Sequence, residues 1–579
     1  MSTLTLVRPD LDVHAVDLAG PRRRVPWAAV ALSVICAVQI ALAVRPGSNQ
    51  TPFEDEGLYL YMGHRMIAHL IHGVFLSEYP GAYFSGAPGF YPVLAALGDH
   101  VGGVQGARAV SLLFALLATV SVNGVGRQLY GRAAGLLGAA AFVLCGSVVY
   151  QSDFATFDST TLGLVAAAAW LTVYSVRRDR FLWAPVVAVL LVGAFYAKYA
   201  GAVYTPVVAA LAVAAAPRGA RLAVTRRTVF MVIAALISGY FIYALWGQSL
   251  RHGIAITTTS RLVLNPASGS SLIVNIGQWV GPWLGLAVLG ALFTRRTVVV
   301  SAVLLFGSIV GPLEQVRIGE STSLAKHVAF GMVFACPLIG LLFTRVLSRV
   351  RLLTVPLIAA TLAALAFSGV YYSHQFMTGW VSDAPLVPVL SKLLTVTPGK
   401  PILGEQPSPE RYALRGRTTP TQWEDTYSFS YGNKVGNAAY KDAIDQTSFG
   451  IIYLAKQPYP HNIQQGSLTP AGEYVYHYLS SARTPYHLVD TVDRVIRGRI
   501  VGHWYIYLPT AVHLPPRLLP PTAGGAPTPA TAPPLTAPHI QVTRAGTAQP
   551  APAVTTVRPA HPTPLLTAQS PVAVTPDQP

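Results

Sequence analysis

Charge and cysteine are what this 579-residue chain has least of. Only 11% of its residues are Asp, Glu, Lys or Arg, against about 25% in soluble domains, while 52% are hydrophobic and the mean hydropathy is +0.45. Such a balance all but excludes a soluble globular protein. The three cysteines, Cys36, Cys145 and Cys336, all sit inside apolar runs, which leaves neither a disulfide framework nor a zinc site of the Cys-x-x-Cys kind. No Gly-rich phosphate loop or nucleotide-diphosphate-sugar motif is present. Acids are scarcer than bases, 24 against 41. In a soluble chain that excess points to nucleic acid, but here the bases follow the positive-inside rule and no nucleic-acid partner is implied.

What is there is a series of apolar runs of the length that crosses a hydrocarbon core of about 30 Å as a helix. The first, 26–45, follows Arg22-Arg23-Arg24 and has no small-residue cleavage site, so it reads as a retained span with a cytoplasmic N-terminus, 1–25. Further runs fall near 104–126, 133–150, 159–176, 181–197, 199–216, 228–247, 272–293, 297–312, 327–344 and 352–372, about eleven spans in all. The basic clusters occupy alternate loops: Arg127 with Arg132, Arg177-Arg178, 218–227, Arg295-Arg296 and 345–351. All then lie on the cytoplasmic side of a multi-pass cell-membrane protein.

Residues 89–100 are apolar but too short to span, and counting them would place every later basic cluster outside. They read as a re-entrant or interfacial helix in a long outer loop, 46–103. The same loop carries Leu58, Met62, Met66, Leu70 and Val74 at a spacing of four, the pattern of a helix lying in the membrane surface. After an odd number of spans, 373–511 has the composition of a soluble domain and falls outside. Its β-type runs 449–454 and 503–508 alternate with helix-like stretches 438–445 and 471–482, which predicts a small α/β domain. The remainder, 512–579, is Pro/Thr/Ala-rich and reads as a disordered tail.

The densest acidic cluster near the membrane is Glu54-Asp55-Glu56, just after the first span. A carboxylate held there is suited to take a proton from an acceptor hydroxyl; three acids at a helix start also complement its dipole. Asp158, at the turn before Ser159-Thr160-Thr161, faces the same compartment and doubles as a helix-start signal. Lys198 interrupts the apolar stretch 186–216 at an outer turn, and Lys326-His327 abuts a span at the same level. Each reads either as a phosphate anchor or as a snorkelling interfacial residue.

In this order, Asp55-Glu56-Gly57-Leu58-Tyr59, Arg108, 126–131, Asp158-Ser159-Thr160-Thr161-Leu162 and Ala197-Lys198-Tyr199 resemble the polyprenyl-phosphate-sugar-dependent transferases of glycosyltransferase family 39. That family includes the protein O-mannosyltransferases and lipid A aminoarabinose transferases. The resemblance covers 26–220 well and 320–345 weakly. It implies an all-α polytopic protein of the GT-C type, with 26–372 as the transferase domain and a small α/β domain after it. The implied activity moves a hexosyl or pentosyl group from a polyprenyl-phosphate donor to a protein, glycan or glycolipid acceptor, with inversion.

By the same resemblance Asp55 is the general base with Glu56 beside it, and Tyr59 and Asp158 orient the acceptor or the sugar. Lys198, Lys326, His327 and Arg65 bind the donor phosphate. The chain departs from the family where it reads Ala87-Pro88-Gly89-Phe90, lacking a basic residue expected to meet the phosphate, and Ser85-Gly86 stands where some relatives carry a metal-binding acid. No metal ligand set is therefore expected. The rival class is a transporter or flippase of lipid-linked saccharides, which would show internal repeats and charges near the bilayer midplane; neither is evident. A membrane-anchored binding protein would leave the first-loop acids unexplained.

Overall fold

Residue 27 opens the described part of the chain. The computed structural model describes 27–44, 51–76, 84–178, 183–257, 267–294, 297–321, 323–348, 351–427, 429–456, 469–481 and 483–514. The cytoplasmic N-terminus and nearly all of the tail lie outside the described residues. Helix α1 (Trp27–Ala43) contains no charged residue. Its buried Gln39 is satisfied on both ends of its amide, accepting from Thr119 Oγ1 at 2.6 Å and donating to Ser152 Oγ at 3.1 Å, as a polar group surrounded by apolar helices must be.

Helix α2 (Glu54–His72) ends where Gly73 takes φ 65°, a left-handed cap that glycine adopts without strain. The apolar stripe expected along it does not form one surface strip. Met62 and Met66 are buried inside the protein, whereas Leu70 is 62% exposed and Val74 falls beyond the helix. Helix α3 (Tyr91–Tyr130) is broken at Gly102 and Gly103, the latter at φ 62° and ψ −157°. Its short first arm therefore folds separately from the span, as the count of basic loops requires. A side chain on Gly98 would meet the Gly106 carbonyl at 2.6 Å, and Tyr91 Oη lies 2.7 Å from Ser111 Oγ, so the two arms lie against each other.

The run expected as one span at 133–150 is instead two helices, α4 (Arg132–Val143) and α5 (Gly146–Asp153), bent by 69°. The break at Leu144 and Cys145 admits a later helix: a Cβ on Gly369 would stand 1.8 Å from the Leu144 carbonyl. There follow α6 (Phe157–Arg177), α7 (Trp183–Ala197), a 3-10 turn (Tyr199–Tyr204), α8 (Thr205–Ala215), α9 (Arg221–Thr257), α10 (Gly269–Ala291), α11 (Val298–Ile318), α12 (Leu324–Leu347) and α13 (Arg351–Met377), which carries Gly369. Among the described residues seven helices are long and apolar enough to cross a membrane, the bent pair makes an eighth, and three shorter apolar helices remain. The chain is a multi-pass membrane protein.

Helix α12 lies at the centre, buried from Lys326 through Phe343. Small residues let its neighbours approach backbone to backbone: Gly340 meets Ala134 of α4, Gly331 meets Ser308 of α11, and Gly290 of α10 meets Leu338. This is how helices pack where lipid removes the hydrophobic drive between them. The outer helices keep large apolar side chains exposed, among them Leu236, Val274 and Phe367.

Beyond α13 come α14 (Leu386–Leu393), β1 (Ile402–Gly404), α15 (Ser408–Ala413), β2 (Trp423–Asp425), a small β3–β4 hairpin (Ser430–Tyr431, Lys434–Val435), α16 (Asn437–Asp445), β5 (Ile451–Lys456), α17 (Pro470–Leu479), β6 (Tyr486–Ile496) and β7 (Arg499–Pro509). The five-stranded sheet has the order β2-β1-β5-β7-β6, parallel across β2-β1-β5 and antiparallel through β7 and β6. Central β5 is buried on both faces, Ile451 and Tyr453 facing α14 and Ile452 and Leu454 facing α16 and α17, the alternation of a strand's period of two. A two-residue turn with both φ positive, Arg497 and Gly498, closes the β6–β7 hairpin. The helices and this α/β part belong to one compact unit.

Candidate active site

At the start of α2, burial sorts the three acids. Glu56 is fully buried. Arg108, from the long arm of α3, clasps it through Nε at 2.9 Å and a terminal nitrogen at 2.8 Å. The Ala155 N–H donates to the same carboxylate at 2.7 Å and the Phe53 N–H at 3.2 Å. Glu56 thus ties α2, α3 and the α5–α6 turn together. A lone arginine in an apolar run is the sequence signal for such a partner.

Asp55 remains about one-third exposed and its Oδ2 accepts from Lys326 Nζ at the start of α12. The same nitrogen lies 3.9 Å from Oδ2 of the fully buried Asp158, in the first turn of α6, and 5.3 Å from the Phe53 ring. Asp158 Oδ1 accepts from Lys198 Nζ, at the α7 end. Its Oδ2 makes no hydrogen bond among the described residues. Asp55, Lys326, Asp158 and Lys198 therefore form an alternating chain of acid and cation drawn from four separate elements. It sits where α7 ends and α2, α6 and α12 begin, at the opposite end of the bundle from Arg127, Arg177 and Arg345.

Of the other expected site residues, Tyr59 is buried with its ring 4.5 Å from Phe157 and 5.3 Å from Phe84, and burial pushes its hydroxyl well up. Phe157 in turn lies under Lys198 at 5.1 Å, so Tyr59 is one ring removed from the charge chain. His327 is buried, within electrostatic reach of Asp158. Arg65 is not brought to the cluster: it sits ten residues along α2 from Asp55, about 15 Å at 1.5 Å per residue, and binds the Phe75 carbonyl at 2.9 Å. The segment that departs from the family pattern has a structural use. Tyr199 N–H donates to Ser85 O at 2.7 Å and Ala87 N–H to Tyr196 O at 2.8 Å, and a Cβ on Gly86 would stand 1.9 Å from the Ala197 carbonyl. That strap fixes the backbone on both sides of Lys198.

Sequence reasoning missed the cover over this site. Helix α15 lies on the first turns of α2: a Cβ on Gly57 would meet Pro409 Cα at 2.7 Å, and Ser408 Oγ donates to Glu54 Oε1 at 2.6 Å. Farther along, Asp99 of the short α3 arm gathers His64 at 2.5 Å, the Tyr412 hydroxyl and Arg415 at 3.5 Å. Burial, with Asp383 and Asp55 nearby, pushes the Glu54 carboxyl up to about 8.

Known structures share this arrangement of helices. ArnT from Cupriavidus metallidurans, bound to undecaprenyl phosphate, matches with a TM-score of 0.55 at 14% identity, over 84% of this chain and 99% of that one. The fold is of the GT-C type. The apo oligosaccharyltransferase of Archaeoglobus fulgidus matches at a TM-score of 0.50, 11% identity, over 74% and 69% of the two chains. The mycobacterial arabinofuranosyltransferase AftD matches at 0.50 and 13%, over 83% of this chain and 40% of the longer AftD. At these identities the likeness is one of fold alone. No protein-family profile and no curated protein sequence matches the chain.

Proposed function

We propose that the protein transfers a sugar from a polyprenyl-phosphate donor to an acceptor on the outer face of the cell membrane, as the transferases of family 39 do. The observation that carries this reading is the chain Asp55–Lys326–Asp158–Lys198, assembled from four elements at one end of the bundle. Asp55, the acid of the three that is neither sealed in nor clasped by an arginine, takes the proton of the acceptor hydroxyl. The resulting oxygen attacks the anomeric carbon from the face opposite the phosphate, the bond from that carbon to the phosphate oxygen breaks, and the configuration inverts. Lys198, Lys326 and His327 hold the departing lipid phosphate as fixed positive charges.

Asp158 keeps both lysines in place and offers its unbonded Oδ2 to a sugar hydroxyl; Glu56, with Arg108, positions Asp55 and takes no proton. Support comes also from the fold shared with an enzyme seen with undecaprenyl phosphate. The test is donor class. Purified protein with an acceptor extract should release polyprenyl phosphate from a polyprenyl-phosphate sugar, whereas turnover of a nucleotide sugar without any lipid-linked donor would contradict the reading.

A further inference from the structure

A pocket of about 470 Å³ shares Phe53 with the Asp55 cluster and is left unused by the chemistry above. Glu54 enters it from α2, Trp380 from the link after α13, and Asp383, Glu410, Arg494 and Trp504 from the α/β part. Its charges restrict what it can hold. Three carboxyl groups side by side exclude an anion such as a phosphate. The buried Arg494 guanidinium and the Trp380 indole N–H both present positive hydrogen to the same space, which disfavours an ammonium group or a metal ion.

Two buried polar atoms on its walls ask for a partner. Trp380 is 6% exposed and its indole N–H has no hydrogen-bond acceptor among the described residues; Glu410 is 2% exposed and its Oε2 has no donor. Leaving such groups unmet costs about 1 to 3 kcal/mol each, so a ligand that both accepts and donates is favoured there. Burial pushes Asp383 up to about 7 and lifts Glu410 well above the carboxylate range, the two facing each other. Near neutral pH these groups retain protons and so can donate as well as accept. The Phe53 and Trp504 rings add apolar wall, the counterpart of a sugar's C–H faces.

We propose that this pocket is the acceptor subsite and that its ligand is a neutral carbohydrate, which presents one hydroxyl past Phe53 to Asp55. The assignment rests on the glycosyl-transfer reading for its purpose, but its binding chemistry is tested without a donor. Saturation-transfer difference NMR on the full chain in nanodiscs would use mannotriose, galactotriose, xylotriose and arabinotriose as probes, and a Ser/Thr-rich decapeptide as the rival acceptor class. At least one trisaccharide should receive saturation and the peptide none. Trp380→Phe, which removes the N–H but keeps a ring, should weaken the sugar about three- to tenfold, and Glu410→Gln offers a second variant with the same expectation. No transfer to any of the four sugars, transfer to the peptide alone, or sugar binding unchanged in both variants would overturn the proposal. Sugar binding in a protein that turns over no lipid-linked donor would uphold the pocket and remove the donor reading; donor turnover without sugar binding would remove the pocket alone.

Discussion

Asp55 and Glu56 are adjacent in sequence and share one helical turn, yet they end in opposite electrostatic situations. Glu56 is sealed between an arginine and two backbone N–H groups, while Asp55 keeps part of its surface in contact with solvent and one lysine for company. The sequence showed both acids and the lone Arg108, but nothing local says which acid the arginine takes, because that depends on how α3 lies across α2. Breaking a buried pair by removing one partner typically costs about 3 to 5 kcal/mol. Arg108→Met should therefore lower the stability of the purified protein by that order in chemical or thermal unfolding, with a part restored in the double variant Arg108→Met, Glu56→Leu. A loss below about 1 kcal/mol would mean that Glu56 does not depend on this clasp.

Elements meet in ways that local periodicity cannot report. The expected spans reappear as helices with ends shifted by a few residues, and the strands at 449–454 and 503–508 appear in β5 and β7, since apolar run length and alternation fix both. The bend between α4 and α5 and the seat of α15 on Gly57 were not legible, because each depends on a backbone arriving from far along the chain. Glu54 lies in that second joint, hydrogen-bonded to Ser408. Its carboxyl stands near 8 in the folded protein against 4.5 for the free side chain. Between these values the unfolded chain gives up its proton while the folded chain keeps it, so folding stability falls as pH rises through the interval. Unfolding midpoints measured from about pH 5 to about pH 8 should decline, and Glu54→Gln should flatten the decline, leaving the part due to Asp383 and Glu405, which are raised in the same direction. An unchanged slope in Glu54→Gln would dissociate Glu54 from the joint.

For the whole molecule, the alternation of basic loops sets one end of the bundle in the cytoplasm, and the Asp55 cluster and the α/β part gather at the other. The order and topology of the family-like motifs were readable from residues 26 to 345, but the cover that completes the site comes from 408–415, a stretch with no motif of its own. Cysteine-accessibility labelling in intact cells should reach positions 55, 158 and 320 and the region after 373 from outside, and positions 178 and 222 only from the cytoplasm. Labelling of position 158 solely from within would separate Asp158 from Asp55 and dismantle the shared site. The most direct measurement compares the wild type with Asp55→Asn for release of polyprenyl phosphate from a saturating polyprenyl-phosphate sugar in the presence of acceptor. A general base contributes about a hundred- to ten-thousand-fold, so the variant should lose turnover by that order while it folds and binds donor as before; a well-folded Asp55→Asn protein with near-wild-type turnover would contradict the account.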